Sequence, residues 1–168
     1  MAERILTAER LRELISYNPA TGEFERIKNT DHRQKRLGPI GLRPYKNGYI
    51  YISVDGTRYL AHRLAWLYVH GEWPHGDIDH RNGDTTDNRV ENIRDVPRYV
   101  NNQNRHKLKS TNVVSGVTGV SWHKHSRKWR ARITRLGVEH RLGLFDSASD
   151  AHEAYLRAKR DIHEGCTI

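Results

Sequence analysis

The sequence predicts an α+β protein made of two small units, and three observations carry that prediction. Short stretches of strand-like alternation occur among helical stripes of apolar residues, and none of them is long. A hydrophobic content of 36% over 168 residues is low for one large core, so two compact units with polar connections fit better. Between Asn102 and Ser115 the chain holds Arg105, His106, Lys107 and Lys109, no acid, and few large apolar residues, which reads as a tether with a boundary near residue 112. The expected division is a first unit at 1–104, a basic linker at 105–115 and a second unit at 116–168.

The first unit opens with a helix. Thr7 is placed to cap it, and Leu11, Leu14 and Ile15 form an apolar stripe that stops before Asn18-Pro19. Ala20-Thr21-Gly22 then turns the chain into Glu23-Phe24-Glu25-Arg26-Ile27, whose alternation reads as a strand. Residues 28–46 carry Lys28, Arg33, Lys35, Arg36, Arg43 and Lys46 among Gly38, Pro39, Gly41 and Pro44, with Asp31 as the acid, and read as a basic loop. Asn47-Gly48 leads into a hairpin: Tyr49 to Val54, the Asp55-Gly56 turn, then Thr57 to Ala61. His62 to His70 is a short helix with Leu64, Ala65, Trp66, Leu67 and Val69, ended by Gly71 and then Pro74.

From Gly76 the expected order is strand, loop, strand, helix. Asn82-Gly83 is a strong turn dipeptide, and Val90, Ile93 and Val96 give a short apolar return. Pro97 suits the first turn of a helix that carries Asn101 one turn in and can aim it back at the strand bearing Asp79 and His80.

In the second unit three short strands precede a helix capped by Ser147, with Asp150 three residues on. Ala148, Ala151, Tyr155, Ala158 and Ile162 make one apolar stripe, so a three-stranded antiparallel sheet packed on one helix is expected. Alternation turns Val120, Trp122, Ala131, Ile133 and Leu142 toward that helix. It leaves Ser121, His123, Arg130, Arg132, Thr134 and Arg141 on the other face.

A net charge of +9 and a pI near 9.9 make a polyanion the default partner. No apolar run approaches membrane-spanning length and no N-terminal signal pattern is present, so a soluble, cytoplasmic protein without a membrane partner is expected. The single cysteine, Cys166, allows no internal disulfide, which suits a reducing compartment. Lys124, Arg127, Lys128 and Arg135 flank the arginine face, and Glu139 is the acid nearby. Such a sheet can lie in the major groove of double-stranded DNA, where Arg reads guanine edges and Lys holds phosphate. The candidate contacts are Ser121, His123, Lys124, Lys128, Arg130, Arg132, Thr134 and Arg141. A merely solvated face usually mixes charge signs more than this one. The basic loop at 28–46 either lies on the DNA backbone or is solvated.

The stretch from Gly76 to Asn104 gathers Asp77, Asp79, His80, Asn82, Asp84, Asp87, Asn88, Asn92, Asn101 and Asn102, a composition better suited to a metal and a phosphate than to a core. An EF-hand does not fit, because Asp and Asn do not alternate before the glycine and no Glu closes a twelve-residue loop. A zinc finger does not fit a chain with one cysteine. His62-Arg63-Leu64, then Asp79-His80-Arg81-Asn82-Gly83-Asp84, then Asn88-Arg89-Val90-Glu91-Asn92-Ile93-Arg94 follow in the order and rough spacing of a known motif. The chain resembles the HNH homing endonucleases of phages and mobile introns, whose motif positions fall here on His80, Asn92 and Asn101.

The resemblance implies a ββα-metal (His-Me finger) nuclease unit, in which Asn92 ties down the loop or orients His80 without touching the metal. It also implies products with a 5′-phosphate and a 3′-hydroxyl and a phage or mobile-element setting. The residue chemistry agrees with it. Phosphodiester hydrolysis needs a base, a cation and in-line geometry. His80 has a suitable pKa for the base. Asp79 and Asn101 are hard oxygen donors of the kind that hold Mg²⁺ beside a substrate phosphate. One site implies one strand cut per binding event, hence a nick unless the protein dimerises; the oligomeric state stays open and no protein partner is evident. His62, at a helix start, reads as a structural hydrogen-bonder before a second catalytic histidine.

Thr118-Gly119-Val120-Ser121-Trp122, Lys128 to Ile133, Leu142-Gly143-Leu144-Phe145 and Ala151 to Tyr155 resemble the successive blocks of the plant Apetala-2/ethylene-response-factor DNA-binding domain. That resemblance spans residues 116 to about 164 and implies a DNA-reading sheet. The expected function is a metal-dependent DNA endonuclease targeted by its C-terminal unit. The alternative is a DNA-binding regulator with a catalytically silent HNH scaffold, and charge alone also admits an RNA-binding protein.

Overall fold

A computed structural model describes residues 5–29, 37–104, 115–163 and 166. The basic residues Arg33, Lys35 and Arg36 of the expected loop, and the expected linker up to residue 114, lie outside the described residues. The chain divides into two compact units, Met1–Pro97 and Arg98–Ile168, each a mixture of helices and small sheets.

In the first unit helix α1 (Ala8–Leu14) starts at Thr7, whose hydroxyl accepts the Arg10 N–H at 3.2 Å. Ala8, Leu11 and Leu14 are buried. The helix ends one residue earlier than the apolar stripe. Ile15 is already extended and opens strand β1 (Ile15–Tyr17), where a buried β-branched side chain sits well. Strand β1 pairs antiparallel with β2 (Phe24–Arg26), which pairs with β3 (Gly38–Ile40). Strand β3 falls where a loop is expected. Pro39 stands opposite Glu25 on this edge strand, where a missing N–H costs no inner ladder bond.

Strands β4 (Tyr51–Val54) and β5 (Thr57–Leu60) form the expected hairpin, with Asp55 and Gly56 both at positive φ, as a type I′ turn requires. Helix α2 (Ala61–His70) closes at Gly71 in the left-handed conformation. Strands β6 (Asp77–His80) and β7 (Ile93–Val96) pair antiparallel, and Val90–Asn92 makes a single 3₁₀ turn just before β7. Leu11, Leu14, Ile15, Val54, Leu64 and Leu67 are the largest fully buried side chains, joined in one core by Ile78 and Ile93. Burying each of these contributes about 1.5–3 kcal/mol. Ile78 and Ile93 thereby anchor the two strands that carry the polar residues of the site.

The second unit begins with α3 (Arg98–Gln103). Strands β8 (Val120–His123), β9 (Lys128–Arg135) and β10 (Val138–Phe145) form an antiparallel sheet with β9 in the middle, followed by α4 (Ala148–Ile162). Ser147 accepts the Asp150 N–H at 3.0 Å, the expected cap. Val120, Ala131 and Ala151 form the buried centre, with Val117, Trp129, Leu142 and Phe145 around it. Trp122 stands opposite Trp129, with ring centroids 5.1 Å apart, yet is 42% exposed because so small a core does not cover the end of β8. Lys159, only 2% exposed, lies among the buried residues of α4, where no lysine is expected from the stripe. A bulge between Arg141 and Gly143 shifts the register of β10, so exposed Leu144 stands opposite Arg130 on the polar side.

Candidate active site and nucleic-acid interface

The site grows out of the β6–β7 register, which sets Asp79 opposite Arg94 and His80 opposite Ile93. Asp79 is buried, and its Oδ2 accepts from Arg94 Nε at 2.9 Å and Nη2 at 2.8 Å. His80, 5% exposed, ends β6. Its ring meets that of His62 edge-on, centroids 5.1 Å apart, and His62 in turn meets Tyr49 at 5.4 Å. Burial pushes the His80 pKa below its ordinary value, against the pull of the Asn88 hydrogen bond and of the Asp79, Asp84 and Asp87 charges. Burial pushes His62 further, down to about 3, with smaller contributions from His80 and Arg63. At neutral pH both imidazoles are therefore uncharged. His62 forms part of the aromatic wall around His80.

The residues after His80 are held as one piece. Gly83 N donates to His80 O at 2.9 Å and Gly83 has a φ of 73°, the turn that Asn82-Gly83 predicts. Asn92 grips both ends of this loop: its Oδ1 accepts from Asn82 N at 3.1 Å and its Nδ2 donates to Asp87 O at 2.8 Å. Asp84 Oδ1 accepts the N–H and O–H of Thr86 at 2.9 and 2.7 Å, which lowers its pKa. Asp87 receives Arg89 Nε and Nη2 at 2.9 and 2.8 Å, which lowers its pKa as well.

Three residues of the site have a part that the sequence does not predict. Asn88, 3% exposed, places its Oδ1 3.4 Å from His80 Nε2 and donates from Nδ2 to Thr86 O at 3.2 Å. Tyr17, on β1, donates its hydroxyl to Asn88 O at 2.7 Å, and burial, with the Asp87 charge, pushes its pKa up to about 12. Arg94 is the third, through its bonds to Asp79. Asn88 and Arg94 lie inside the motif and were open to notice; Tyr17 is far away in sequence and carries no signal. Gly22, at a φ of 76°, packs against the same segment: a Cβ there would lie 2.8 Å from Arg89 N and 2.9 Å from Asn88 C. Asn101 stands on α3, in the second unit. Among the described residues no three His, Cys, Asp or Glu side chains gather as a metal cluster.

On the C-terminal sheet Ser121 stands opposite Arg130, His123 opposite Lys128, Arg132 opposite Arg141 and Thr134 opposite Glu139. Arg132, Thr134, Arg141 and Lys124 are exposed, while Ser121, His123, Lys128 and Arg130 are half-buried. Arg130 Nη2 donates to Ser121 Oγ at 3.4 Å, and His123 Nδ1 lies 3.0 Å from Ser126 Oγ. The face is less uniform in sign than expected. Arg132 pairs with Glu139 at 2.9 Å and Lys128 with Asp146 at 3.1 Å.

Residues 59–103 match the family model for HNH endonuclease, a stretch running from β5 to the end of α3, so the chain carries an HNH endonuclease domain. The chain belongs to the family of Protein 3.8 of Escherichia phage T7, to which it is 30% identical over 103 residues, 61% of this chain and 83% of that protein. It is also similar to a solved structure of the HNH homing endonuclease I-HmuI, described as DNA binding and cleavage by that enzyme. The likeness has a TM-score of 0.44 and 21% identity, and it covers 90% of this chain and 88% of the other.

Proposed function

We propose that this protein is a metal-dependent DNA endonuclease of the bacterial or phage-infected cytoplasm that nicks one strand of a duplex and is delivered by the arginine face of its C-terminal sheet. What supports this most is His80, a buried imidazole kept neutral at pH 7 beside the carboxylate of Asp79, inside the stretch with the HNH match. A neutral imidazole can take the proton of a water molecule as that water attacks phosphorus. Asn92 fixes the loop that follows His80, and the His62 and Tyr49 rings keep bulk water from two sides of its ring.

The residues fit a divalent ion in kind. Asp79 is a hard oxygen donor, and Mg²⁺ takes few protein ligands beside water and substrate phosphate. Such an ion, when bound, offsets charge on the phosphate and the leaving oxygen. The sheet's arginines would position duplex DNA by phosphate and base contacts.

One observation favours a second reading, a DNA-binding regulator with a silent scaffold. The Arg94 guanidinium already brings positive charge to Asp79 Oδ2. Incubation with supercoiled plasmid separates the two. Relaxed circles formed with Mg²⁺ and absent with EDTA are expected; no cleavage with any divalent ion would make the regulator the better reading.

A further inference from the structure

We infer that Asn88 sets which ring nitrogen of His80 carries the proton, and that Tyr17, from the N-terminal sheet, holds Asn88 in the position to do so. The consequence for rate rests on His80 being the base proposed above; the consequence for the ring itself does not.

The orientation of the Asn88 amide follows from its other neighbour. Its Nδ2 lies 3.2 Å from Thr86 O, and a carbonyl oxygen only accepts, so the NH₂ end must face Thr86. The end facing His80 is then the amide oxygen, 3.4 Å from Nε2. That oxygen also only accepts, so a neutral His80 meets it with a hydrogen on Nε2 and keeps its lone pair on Nδ1. A base needs that lone pair at a fixed nitrogen. A ring divided between tautomers presents the wrong nitrogen part of the time.

A contact of 3.4 Å is long for an N–H···O bond, so its bias on the tautomer depends on Asn88 not moving. Several contacts from outside the motif prevent that movement. The Tyr17 hydroxyl donates to the Asn88 carbonyl at 2.7 Å in a buried setting. Val90 N donates to Pro19 O at 3.1 Å, and the backbone of Gly22 lies against Asn88 and Arg89. The β1–β2 connection thus acts as a clamp on residues 88–90. Tyr17 and Asn88 are positioning residues, because both act through His80.

The test uses the full chain labelled with ¹⁵N at histidine, in long-range ¹H–¹⁵N correlation spectra at pH 8, with the His80 peaks identified by their loss in His80→Gln. The parent is expected to show the Nε2–H tautomer, Asn88→Ala a mixture, and Asn88→Asp, which keeps an acceptor oxygen, the parent pattern. Tyr17→Phe, which removes one hydroxyl and keeps the ring, should move the pattern part of the way and keeps the test open should Asn88→Ala not fold. In single-turnover nicking, Asn88→Ala should fall about tenfold at unchanged DNA affinity, with Asn88→Asp recovering most of the rate, as expected for one lost hydrogen bond. A parent ring protonated at Nδ1, or an Asn88→Ala tautomer equal to the parent's, would overturn the inference. A parent that shows the Nε2–H tautomer and never nicks DNA would leave the tautomer assignment standing and remove the nuclease reading instead.

Discussion

At the end of β6, Asp79, His80, Asn88 and Asn92 are buried, and each hydrogen-bonds to another residue of the chain. On the C-terminal sheet, Arg132 and Arg141 stand in solvent, and the carboxylates of Glu139 and Asp146 that pair with Arg132 and Lys128 are exposed too. The two regions use polar residues under opposite physics. In the buried region, water no longer competes, so the place of a single proton matters and an unmade bond is costly. In the open region an ion pair is worth about 0–1 kcal/mol, and a phosphate can replace the carboxylate cheaply. A change in the first should alter chemistry while DNA affinity holds, and a change in the second the reverse.

The sharpest way to break that division is His80→Ala. A positioned base contributes about 10²- to 10⁴-fold, or roughly 3–5.5 kcal/mol of barrier. Single-turnover nicking should fall by that factor while the Kd for DNA stays put, and equal rates would remove His80 as the base. Asp79→Ala should also cut slowly, with part of its loss returning as Mg²⁺ is raised, which His80→Ala should not show.

Arg132→Ala should have the opposite signature. Loss of about 1–3 kcal/mol of affinity on a preferred duplex, with relaxed preference at one base pair, is expected if it reads a base; a phosphate contact would weaken all sequences alike. Parent affinity should fall with salt by about 0.9 log units per neutralised phosphate per log unit of salt, and a flat response would rule out the arginine face as a DNA contact.

Acid should act on the buried region. The His62 pKa lies at about 3 in the folded chain, below its unfolded value, so above pH 6.5 the group contributes nothing to pH dependence. Below 6.5 the unfolded chain takes up the proton and the folded chain does not, and stability falls until about pH 3. Between pH 7.5 and 5 the loss from His62 should be about 2 kcal/mol, read as a drop in the urea midpoint. His62→Gln should flatten that slope, and an unchanged slope would show that the acid response comes from elsewhere.

The smallest effect belongs to a cap. Ser147→Ala should cost about 1 kcal/mol of stability in the second unit and leave nicking chemistry untouched, measured by thermal melting beside single-turnover rates.

That cap was legible in the sequence, as were the Thr7 cap, the Asp55-Gly56 turn and the Gly71 stop, because each is decided within a few residues of itself. His80 and Asp79 stand out for a different reason: they fall in the order and rough spacing of the motif that resembles the HNH homing endonucleases. The misses share a cause too. Strand β3 exists because β2 offers it a ladder, and nothing in Gly38-Pro39-Ile40 alone announces that. Alternation turns Trp122 toward the helix side of β8, but its exposure depends on how far a small core reaches. The register shift in β10 turned Leu144 onto the polar side, which strict alternation does not foresee. Asn88 stood in plain sight within the motif, and its neighbour Tyr17 became visible only when the chain folded back on itself.

Gly22 carries no functional group, yet the space beside it is filled by the backbone of Asn88 and Arg89. Any side chain there must displace the segment that faces His80, and the left-handed backbone at that position already disfavours one. A genetic screen that ranked substitutions by lost cleavage would therefore place Gly22 next to His80, the base proposed above. A residue without chemistry would be mistaken for part of the machinery, and only a screen that also scored DNA retention and protein abundance would tell the mould from the tool.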